Sequence, residues 1–424
     1  MEPKKNIKRV LNEKTRVAVV HDWIFERRGG EKVLERILNL FPQADLYYLF
    51  GNPEDVLVLE KKPRFFPSFL NKIPFISRLY KFLLPLLPVA IESFDFSSYE
   101  LIVSTSSCVA KGVIPSPNAV HVSYIHSPMR YAWDQEHRYF KKPPALFRPI
   151  EILRRILLSR LRVWDVTSSV RVDKMIANSH FVARRCQLYY GKNADTIYPP
   201  VNIDMFEKIY QNARKTARHR PISLNSKGGE MEQKREAFLR DNNEERPVSN
   251  KVRKVMLFGA WVPYKQMYEA LELLIANKIP VIAVGMGEEL NRAQKKYGHL
   301  KDLVEFHLQP DDDDLPYIFE KAHTLLFPAI EDFGIVPLEA TSSGLWVVSP
   351  NKGGTVETVL NHVTGFSFQE GDAEDMLATV RHSLEREIFE EDLDEMLNHV
   401  RQFSPEVFDV TLLSAVGAAY HKSA

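Results

Sequence analysis

The sequence predicts an α/β protein with two doubly wound, Rossmann-like domains that face each other across a cleft. The chain has 424 residues, which is too long for one ordinary core and suits two domains of about 200 residues each. Short apolar segments with strand character alternate with helical segments, a spacing typical of a parallel sheet covered by helices. A strongly polar stretch at 206–252 separates two regions of this kind.

The first region opens with a strand, a glycine turn and a helix, which is how a Rossmann-like unit begins. Residues 16–20 (RVAVV) are the strand, Gly29 and Gly30 end the turn, and 31–41 (EKVLERILNLF) are a helix with its apolar residues on one face. We therefore interpret residues 1–205 as the first domain. Its further strands are predicted at 101–106, 121–126 and 175–179.

Residues 206–252 cannot bury enough apolar surface to order themselves, and we interpret them as a charged linker or insertion. Residues 253–403 are predicted to form the second domain, and 404–424 a last helix opened by Ser404-Pro405. The predicted strands of the second domain lie at 254–260, 279–285, 304–308, 324–329 and 345–350, and its helices at 266–278, 288–298, 315–322, from about 336, at 356–361 and at 373–386.

Composition excludes several classes of protein. The formal net charge of +1 argues against a nucleic-acid partner, because such proteins carry strongly basic surfaces. Cys108 and Cys186 are too few for a disulfide framework, which favours a reducing, cytoplasmic compartment. No stretch reaches the ~20 apolar residues that a membrane-spanning helix needs.

The segment at 62–91 mixes aromatic and leucine residues with lysines and arginines. Such a mixture can lie on an anionic membrane, which would place the protein peripherally on the inner face of the membrane. The alternative is a set of core-packing helices with solvated basic residues. Pro67, Pro74, Pro85 and Pro88 prevent one long amphipathic helix, so both interpretations stay open.

Ligands of doubly wound sheets bind beyond the carboxyl ends of the strands, where helices begin. Glu331 follows a predicted strand there, and Glu339 lies eight residues later, about two turns on if the stretch between them is helical. Two carboxylates suit a ligand rich in hydroxyl groups, and Gly334 lets backbone N–H groups approach a phosphate. The alternative is that these acids only complement a helix dipole. His21 and Asp22, after the first strand, are expected to face the same cleft.

The Glu-x7-Glu spacing in PAIEDFGIVPLEA (328–340), followed by NKGGTVETV and TGFSF, resembles family 4 of the retaining glycosyltransferases, which have the GT-B fold. The resemblance covers most of the chain. The members of the family that this chain resembles are the mannosyltransferase-like enzymes of polysaccharide and O-antigen assembly. Three further blocks also match their motifs in order: YIHSPMRYAWD (124–134), IANSHFVARR (176–185) and YPPVN (198–202).

The resemblance implies roles for the acidic pair and its neighbours. Glu331 would contact the donor sugar as a catalytic residue, and Glu339 would hold the ribose of the nucleotide. The turn Phe333, Gly334 and Ile335 would lie against the diphosphate. Further donor neighbours in the next strand-to-helix turn would be Gly353 and Gly354, with Glu357 beside them.

Lys265, in FGAWVPYKQ (258–266), matches the family's catalytic lysine that stabilises the departing diphosphate. The family's partner arginine is replaced here by Ala260, which puts full activity in question. On the opposite wall, His126 resembles the histidine that the family places near the reacting sugar, although a structural histidine would also suit a strand end. Acceptor or phosphate contacts are expected at Gly29, Gly30 and Arg130.

The acidic run Asp311–Asp314 is interpreted as a solvated, helix-capping loop and not as a metal site. The resemblance implies a metal-independent enzyme without a cofactor, for which a nucleotide-diphosphate sugar is the co-substrate. It also implies that the last helix crosses back to the first domain.

The resemblance therefore implies a retaining hexosyltransferase that moves a sugar to a glycan or lipid-linked acceptor, with GDP-mannose the first choice of donor and UDP-sugars next. Two alternatives remain. One is a catalytically weakened GT-B protein that binds nucleotide sugars or serves as a partner subunit. The other is a phosphorylase, for which no cofactor lysine is identified.

Overall fold

A computed structural model describes residues 14–80, 83–136, 148–202, 209–211, 253–311 and 313–423. The linker or insertion expected at 206–252 lies almost entirely outside the described residues, as does Lys81 of the segment at 62–91. The described residues form two parallel sheets of seven and six strands, each in its own α/β domain. The predicted fold class is confirmed.

The first domain has a seven-stranded sheet with the order β3-β2-β1-β4-β5-β6-β7. Its strands are β1 (Val17–Ile24), β2 (Asp45–Gly51), β3 (Phe65–Pro67), β4 (Leu101–Ser106), β5 (Val120–Ile125), β6 (Lys174–Ala177) and β7 (Asp195–Thr196). Its helices are α1 (Gly29–Leu40), α2 (Pro53–Val56), α3 (Ile76–Leu79), α4 (Leu87–Glu92), α5 (Arg148–Ser169) and α6 (His180–Tyr190).

Strand β1 is longer than the sequence pattern indicates, and this corrects the expectation for His21 and Asp22. Both residues lie inside the strand and are buried. The Asp22 carboxylate accepts hydrogen bonds from four consecutive backbone N–H groups, those of residues 107–110. Asp22 therefore fixes the turn after β4, and its burial raises its pKa despite these bonds.

The second domain has a six-stranded sheet with the order β10-β9-β8-β11-β12-β13. Its strands are β8 (Val255–Ala260), β9 (Val281–Met286), β10 (Val304–Leu308), β11 (Thr324–Leu326), β12 (Trp346–Pro350) and β13 (Gly365–Phe368). Its helices are α7 (Met267–Ala276), α8 (Glu288–Tyr297), α9 (Leu315–Phe319), α10 (Ile335–Ser342), α11 (Thr355–Thr358), α12 (Ala373–Glu385) and α13 (Glu390–Val400).

The last helix, α14 (Pro405–Ser423), packs on the first domain although it follows the second in sequence. Phe408, Leu412, Leu413 and Val416 are buried in the core that β1, β4 and β5 share with α1. Arg36 of α1 donates to Asp409 of α14, with Nε 2.6 Å from Oδ1. The chain thus crosses between the domains twice.

The segment at 62–91 consists of short pieces and not of one helix. Leu70, Ile76 and Leu87 are buried against the first domain. Its basic side chains Lys62, Arg64, Lys72 and Arg78 are exposed, as are five apolar ones. The exposed apolar residues are Phe69, Phe75, Leu79, Leu86 and Val89. Within the described residues, no helix is long and apolar enough to cross a membrane.

Candidate active site

A cavity of about 570 Å³ lies between the two domains. The first domain contributes the end of β5 with the loop that follows it and the start of α1, and the second contributes the loops after β8 and β11. Most of the residues singled out from the sequence line this cavity. They are Gly29, Gly30, His126, Arg130, Lys265, Glu331, Phe333, Gly334 and Ile335.

Glu331 is held between two cations that come from opposite domains. Lys265 Nζ lies 3.0 Å from Oε1, and Arg130 Nη2 lies 3.1 Å from Oε2. Burial opposes ionisation, but the charges of Lys265 and Arg130 outweigh it and lower the pKa of Glu331 to about 2. The carboxylate is therefore ionised at neutral pH and accepts hydrogen bonds without donating any.

Asp332, the next residue, anchors this loop to the first domain. Its carboxylate accepts from Arg130 Nε at 2.7 Å and from Arg185 Nη1 at 2.8 Å, and its backbone carbonyl accepts from Ser179 Oγ at 2.5 Å. Asp332 is only 5% exposed. The sequence analysis gave no role to Asp332 or Arg185, and the one available signal was that Asp332 adjoins Glu331.

His126 follows β5 and faces the start of α1. Its Nε2 shares a hydrogen bond of 2.6 Å with Thr105 Oγ1. Burial, together with the nearby His21, lowers the pKa of His126 to about 3, so the ring is neutral at pH 7. A neutral imidazole can exchange hydrogen bonds with a sugar hydroxyl but adds no positive charge to the cavity.

Glycines shape both walls of the cavity, and Gly29 lets the two domains approach closely. Gly29 and Gly30 were expected in the loop before α1, but they form the first turn of this helix. A Cβ on Gly29 would lie 2.7 Å from Ile335 Cδ1 of the other domain. Gly334 precedes α10 with φ 101°, a left-handed conformation that favours glycine.

Glu339, Gly353 and Gly354 are not among the described residues that line the cavity. Glu331 lies in a loop, and α10 begins only at Ile335, so the two glutamates are not two helical turns apart. Gly353 and Gly354 pack behind that loop, where a Cβ on Gly354 would lie 2.2 Å from the Asp332 carbonyl oxygen. They therefore shape the backbone that presents Glu331.

Glu357 also joins the domains. Its carboxylate accepts from the backbone N–H groups of His180 at 2.8 Å and Phe181 at 2.9 Å. These are the first residues of α6, so an acid from the second domain caps a helix of the first. Glu357 was expected beside the donor, but its carboxylate is used in this contact.

Lys265 ends a short 3₁₀ turn, Pro263–Lys265, that follows β8. Ala260 is the last residue of that strand and supplies no charge beside Lys265. Among the residues that the structure describes, no group of three or more His, Cys, Asp or Glu side chains is placed to hold a metal ion. Metal independence stays a prediction.

Part of the cavity wall is aromatic and apolar, which the sequence analysis did not identify. Trp23 of β1 and Tyr80 lie with ring centroids 5.3 Å apart, and both line the cavity with Leu84. Tyr80 and Leu84 belong to the segment at 62–91. This segment therefore connects an exposed apolar surface with the cavity.

Comparisons with known proteins find one matching family, two curated relatives and solved structures of the same fold. The family described as glycosyl transferases group 1 matches residues 239–399, which include most of the second domain. The gpi3 subunit of phosphatidylinositol N-acetylglucosaminyltransferase from Schizosaccharomyces pombe is 31% identical over 144 residues, or 31% of each chain. The alpha-1,3/1,6-mannosyltransferase ALG2 of Dictyostelium discoideum is 23% identical over 231 residues, or 51% of this chain and 53% of ALG2.

These alignments span about a third and about half of the curated relatives. Among solved structures, Anabaena HepE in complex with UDP has a TM-score of 0.62 at 16% identity, and the alignment covers 95% of this chain and 100% of HepE. The described part of the chain therefore has the two-domain fold of HepE, and residues 239–399 match glycosyl transferases group 1.

Proposed function

We propose that this chain, a GT-B protein whose second domain matches glycosyl transferases group 1, is a retaining hexosyltransferase that uses a nucleoside-diphosphate sugar. The observation that carries the proposal is Glu331, an ionised carboxylate held between Lys265 and Arg130 inside an interdomain cavity. A carboxylate suits sugar hydroxyls, and adjacent cations suit a diphosphate. The cavity is also large enough for a small-molecule ligand.

In the proposed step, the bond between the anomeric carbon and the diphosphate oxygen breaks. The oxygen of the acceptor hydroxyl forms the new bond to that carbon on the same face. The hydroxyl proton passes to the departing diphosphate, so charge and atoms balance. The protein contributes orientation and stabilises the negative charge that develops on the leaving group. No protein nucleophile, metal ion or cofactor takes part in this proposal.

For the donor, we propose a mannosyl or other hexosyl nucleotide, with GDP-mannose tested first. ALG2, a relative over half of this chain, is named as a mannosyltransferase. HepE, which shares the fold, is described with UDP bound, so UDP-sugars are the second group to test. His126, neutral and next to Thr105, would exchange hydrogen bonds with the hydroxyls of the sugar.

For the acceptor, we propose a lipid-linked glycan presented at an anionic membrane surface. Tyr80 and Leu84 line the cavity, and the same segment exposes apolar residues beside solvated lysines and arginines. Phe75 is 74% exposed and has a left-handed φ of 56°, which is unfavourable for a bulky residue. Such a presentation is consistent with contact with the interfacial region of a membrane.

A second candidate is a nucleotide-sugar binder that acts as a partner subunit with weakened or no turnover. Ala260, an uncharged residue at the end of the strand that leads to Lys265, favours it. The gpi3 relative is itself named as a subunit. The intact arrangement of Glu331 and Lys265 favours the enzyme.

The test is a panel of GDP- and UDP-sugars, measured for binding by calorimetry and for donor hydrolysis and transfer to lipid-linked acceptors, with and without EDTA. We expect one donor to bind and to be hydrolysed slowly, and both signals to be lost in Glu331→Ala. Binding without turnover, even with acceptors, supports the subunit alternative. Absence of binding to every nucleotide sugar overturns both candidates.

Glu305→Ala is the matched control. Burial raises the pKa of Glu305, but its contacts with Lys321, Lys254 and His307 outweigh burial and lower the pKa to about 2. This glutamate is therefore also held by basic side chains. It lies on β10, at the far edge of the second sheet from the cavity. Donor binding is expected to be unchanged in this variant.

A further inference from the structure

We propose that Arg130 of the first domain is the second cation that stabilises the departing diphosphate, acting together with Lys265 of the second domain. The inference rests on the proposed function and deepens it, because it names the residue that completes charge stabilisation at the site. It also makes that stabilisation depend on both domains.

Among the described residues that line the cavity, two have cationic side chains that could face an anion. They are Lys265 and Arg130. His126 also lines it but is neutral. A diphosphate leaving group carries more than one negative charge, and preorganised positive groups aimed at such developing charge strongly accelerate a reaction. A single lysine supplies only one positive charge to such a leaving group.

The two cations are placed to act on the same ligand. Lys265 Nζ and Arg130 Nη2 contact the two oxygens of one carboxylate, that of Glu331, at 3.0 and 3.1 Å. An anionic group that enters beside Glu331 therefore meets both nitrogens. The guanidinium suits phosphate oxygens in particular, because its fixed fork of donors matches their spacing.

Asp332 holds Arg130 in this orientation and is a positioning residue. It accepts from Arg130 Nε at 2.7 Å and is also bound by Arg185 Nη1 at 2.8 Å. Arg185 is shared with Asp134, but the Asp134 side chain is 34% exposed and its charge is screened by water. Arg130 Nη2 contacts both Asp332 Oδ2, at 2.5 Å, and Glu331 Oε2, at 3.1 Å. With Lys265 and Arg185, three cations face these two carboxylates, so the cluster keeps positive charge for the cavity.

The second domain provides no other cation next to Lys265 in its own loop, because the strand that leads into this loop ends in Ala260. The first domain supplies the second cation, Arg130, from the loop after β5. Arg130 reaches the diphosphate only when the domains are as close as the Asp332 and Glu331 contacts hold them.

The test compares a nucleoside diphosphate with its monophosphate, UDP with UMP or GDP with GMP, by calorimetry on wild type and Arg130→Gln. A cation that binds the second phosphate should matter for the diphosphate alone. We expect diphosphate affinity to fall about 10- to 100-fold and monophosphate affinity to stay unchanged. With the donor, kcat should fall about 100-fold, and adding Ala260→Arg to the variant should restore part of it.

Arg36→Gln is the matched control, since it removes an arginine–carboxylate pair that holds α14 to α1, outside the cavity. Arg130→Met supplies a second neutral variant should Arg130→Gln not fold. Equal loss of both nucleotides, or unchanged diphosphate affinity and kcat in a folded neutral variant, overturns the inference. If wild type binds neither nucleotide pair nor any nucleotide sugar, the proposed function itself fails, which is seen before any variant is compared.

Discussion

At the scale of single residues, His121 shows how burial changes the chemistry of a side chain. It lies in β5, fully buried, where Nε2 shares a hydrogen bond of 2.8 Å with Ser104 Oγ. Burial lowers its pKa to about 3. Because an unfolded histidine has a pKa of about 6.5, the unfolded chain binds a proton below that pH while the folded chain does not.

This difference predicts that wild type loses stability as the pH falls from about 6.5 towards 3, and that part of the loss belongs to His121. We compare the decrease in the free energy of unfolding between pH 7 and pH 5. This decrease should be about 1 to 2 kcal/mol smaller in His121→Gln than in wild type. Urea unfolding at both pH values measures this. The exposed His299 gives the control His299→Gln, which should keep the wild-type pH dependence, and an equal dependence in His121→Gln would contradict the argument.

Single residues also show where sequence reasoning reached its limit at the candidate site. Glu331, Lys265 and His126 could be singled out because each follows a strand segment and belongs to a recognisable motif. The part played by Asp332 could not be predicted. Its partners Arg130 and Arg185 lie 202 and 147 residues away in the chain, and only the fold brings them together.

At the scale of elements, the start of α6 is stabilised from the other domain. Ser179 caps it locally by accepting from the N–H of Val182, and Glu357 accepts from the two N–H groups at its first turn. An acid at a helix N-terminus also interacts favourably with the helix dipole. Contact between the domains is thus part of what orders this helix.

We therefore expect Glu357→Ala to speed hydrogen exchange at the first turn of α6, because two N–H groups lose their acceptor, and to lower stability by about 1 kcal/mol. Asp372→Ala removes the N-cap of α12, which accepts from Glu374 and Asp375 within the second domain. That control should speed exchange only at α12. If exchange at α6 is unchanged in Glu357→Ala, the contact between the domains does not order the helix.

Elements of the two domains could be predicted to different extents. In the second domain the apolar segments alternate regularly, and every predicted strand is present there with ends shifted by a few residues. In the first domain, β1 runs on through His21 and Asp22, polar residues that local patterns place outside a strand. Asp22 can be buried because it binds four N–H groups from a distant turn. No local signal carries that information.

At the scale of the whole molecule, α14 makes the core of the first domain depend on the end of the chain. Leu412 is completely buried there, between β5 and the helices around it. Its sequence neighbours in α12 and α13 pack on the second domain instead. Its position in the sequence alone would assign α14 to the core of the second domain. The resemblance to GT-B enzymes was what indicated that this helix crosses back to the first domain.

Leu412→Ala should therefore destabilise the first domain by about 2 to 5 kcal/mol, the range for truncating a buried leucine, although the substitution lies beyond the second domain in sequence. Hydrogen exchange followed by mass spectrometry separates the two domains: exchange should speed up in β1, β4 and β5 and stay unchanged in β8, β9 and β12. Leu274→Ala, at a buried leucine of the second core, is the matched control with the opposite pattern. Faster exchange in the second domain alone, after Leu412→Ala, would mean that α14 does not complete the first core. Loss of protection in both would mean that the domains unfold as one cooperative unit, joined by α14 and by the contacts of Asp332 and Glu357 across the cavity.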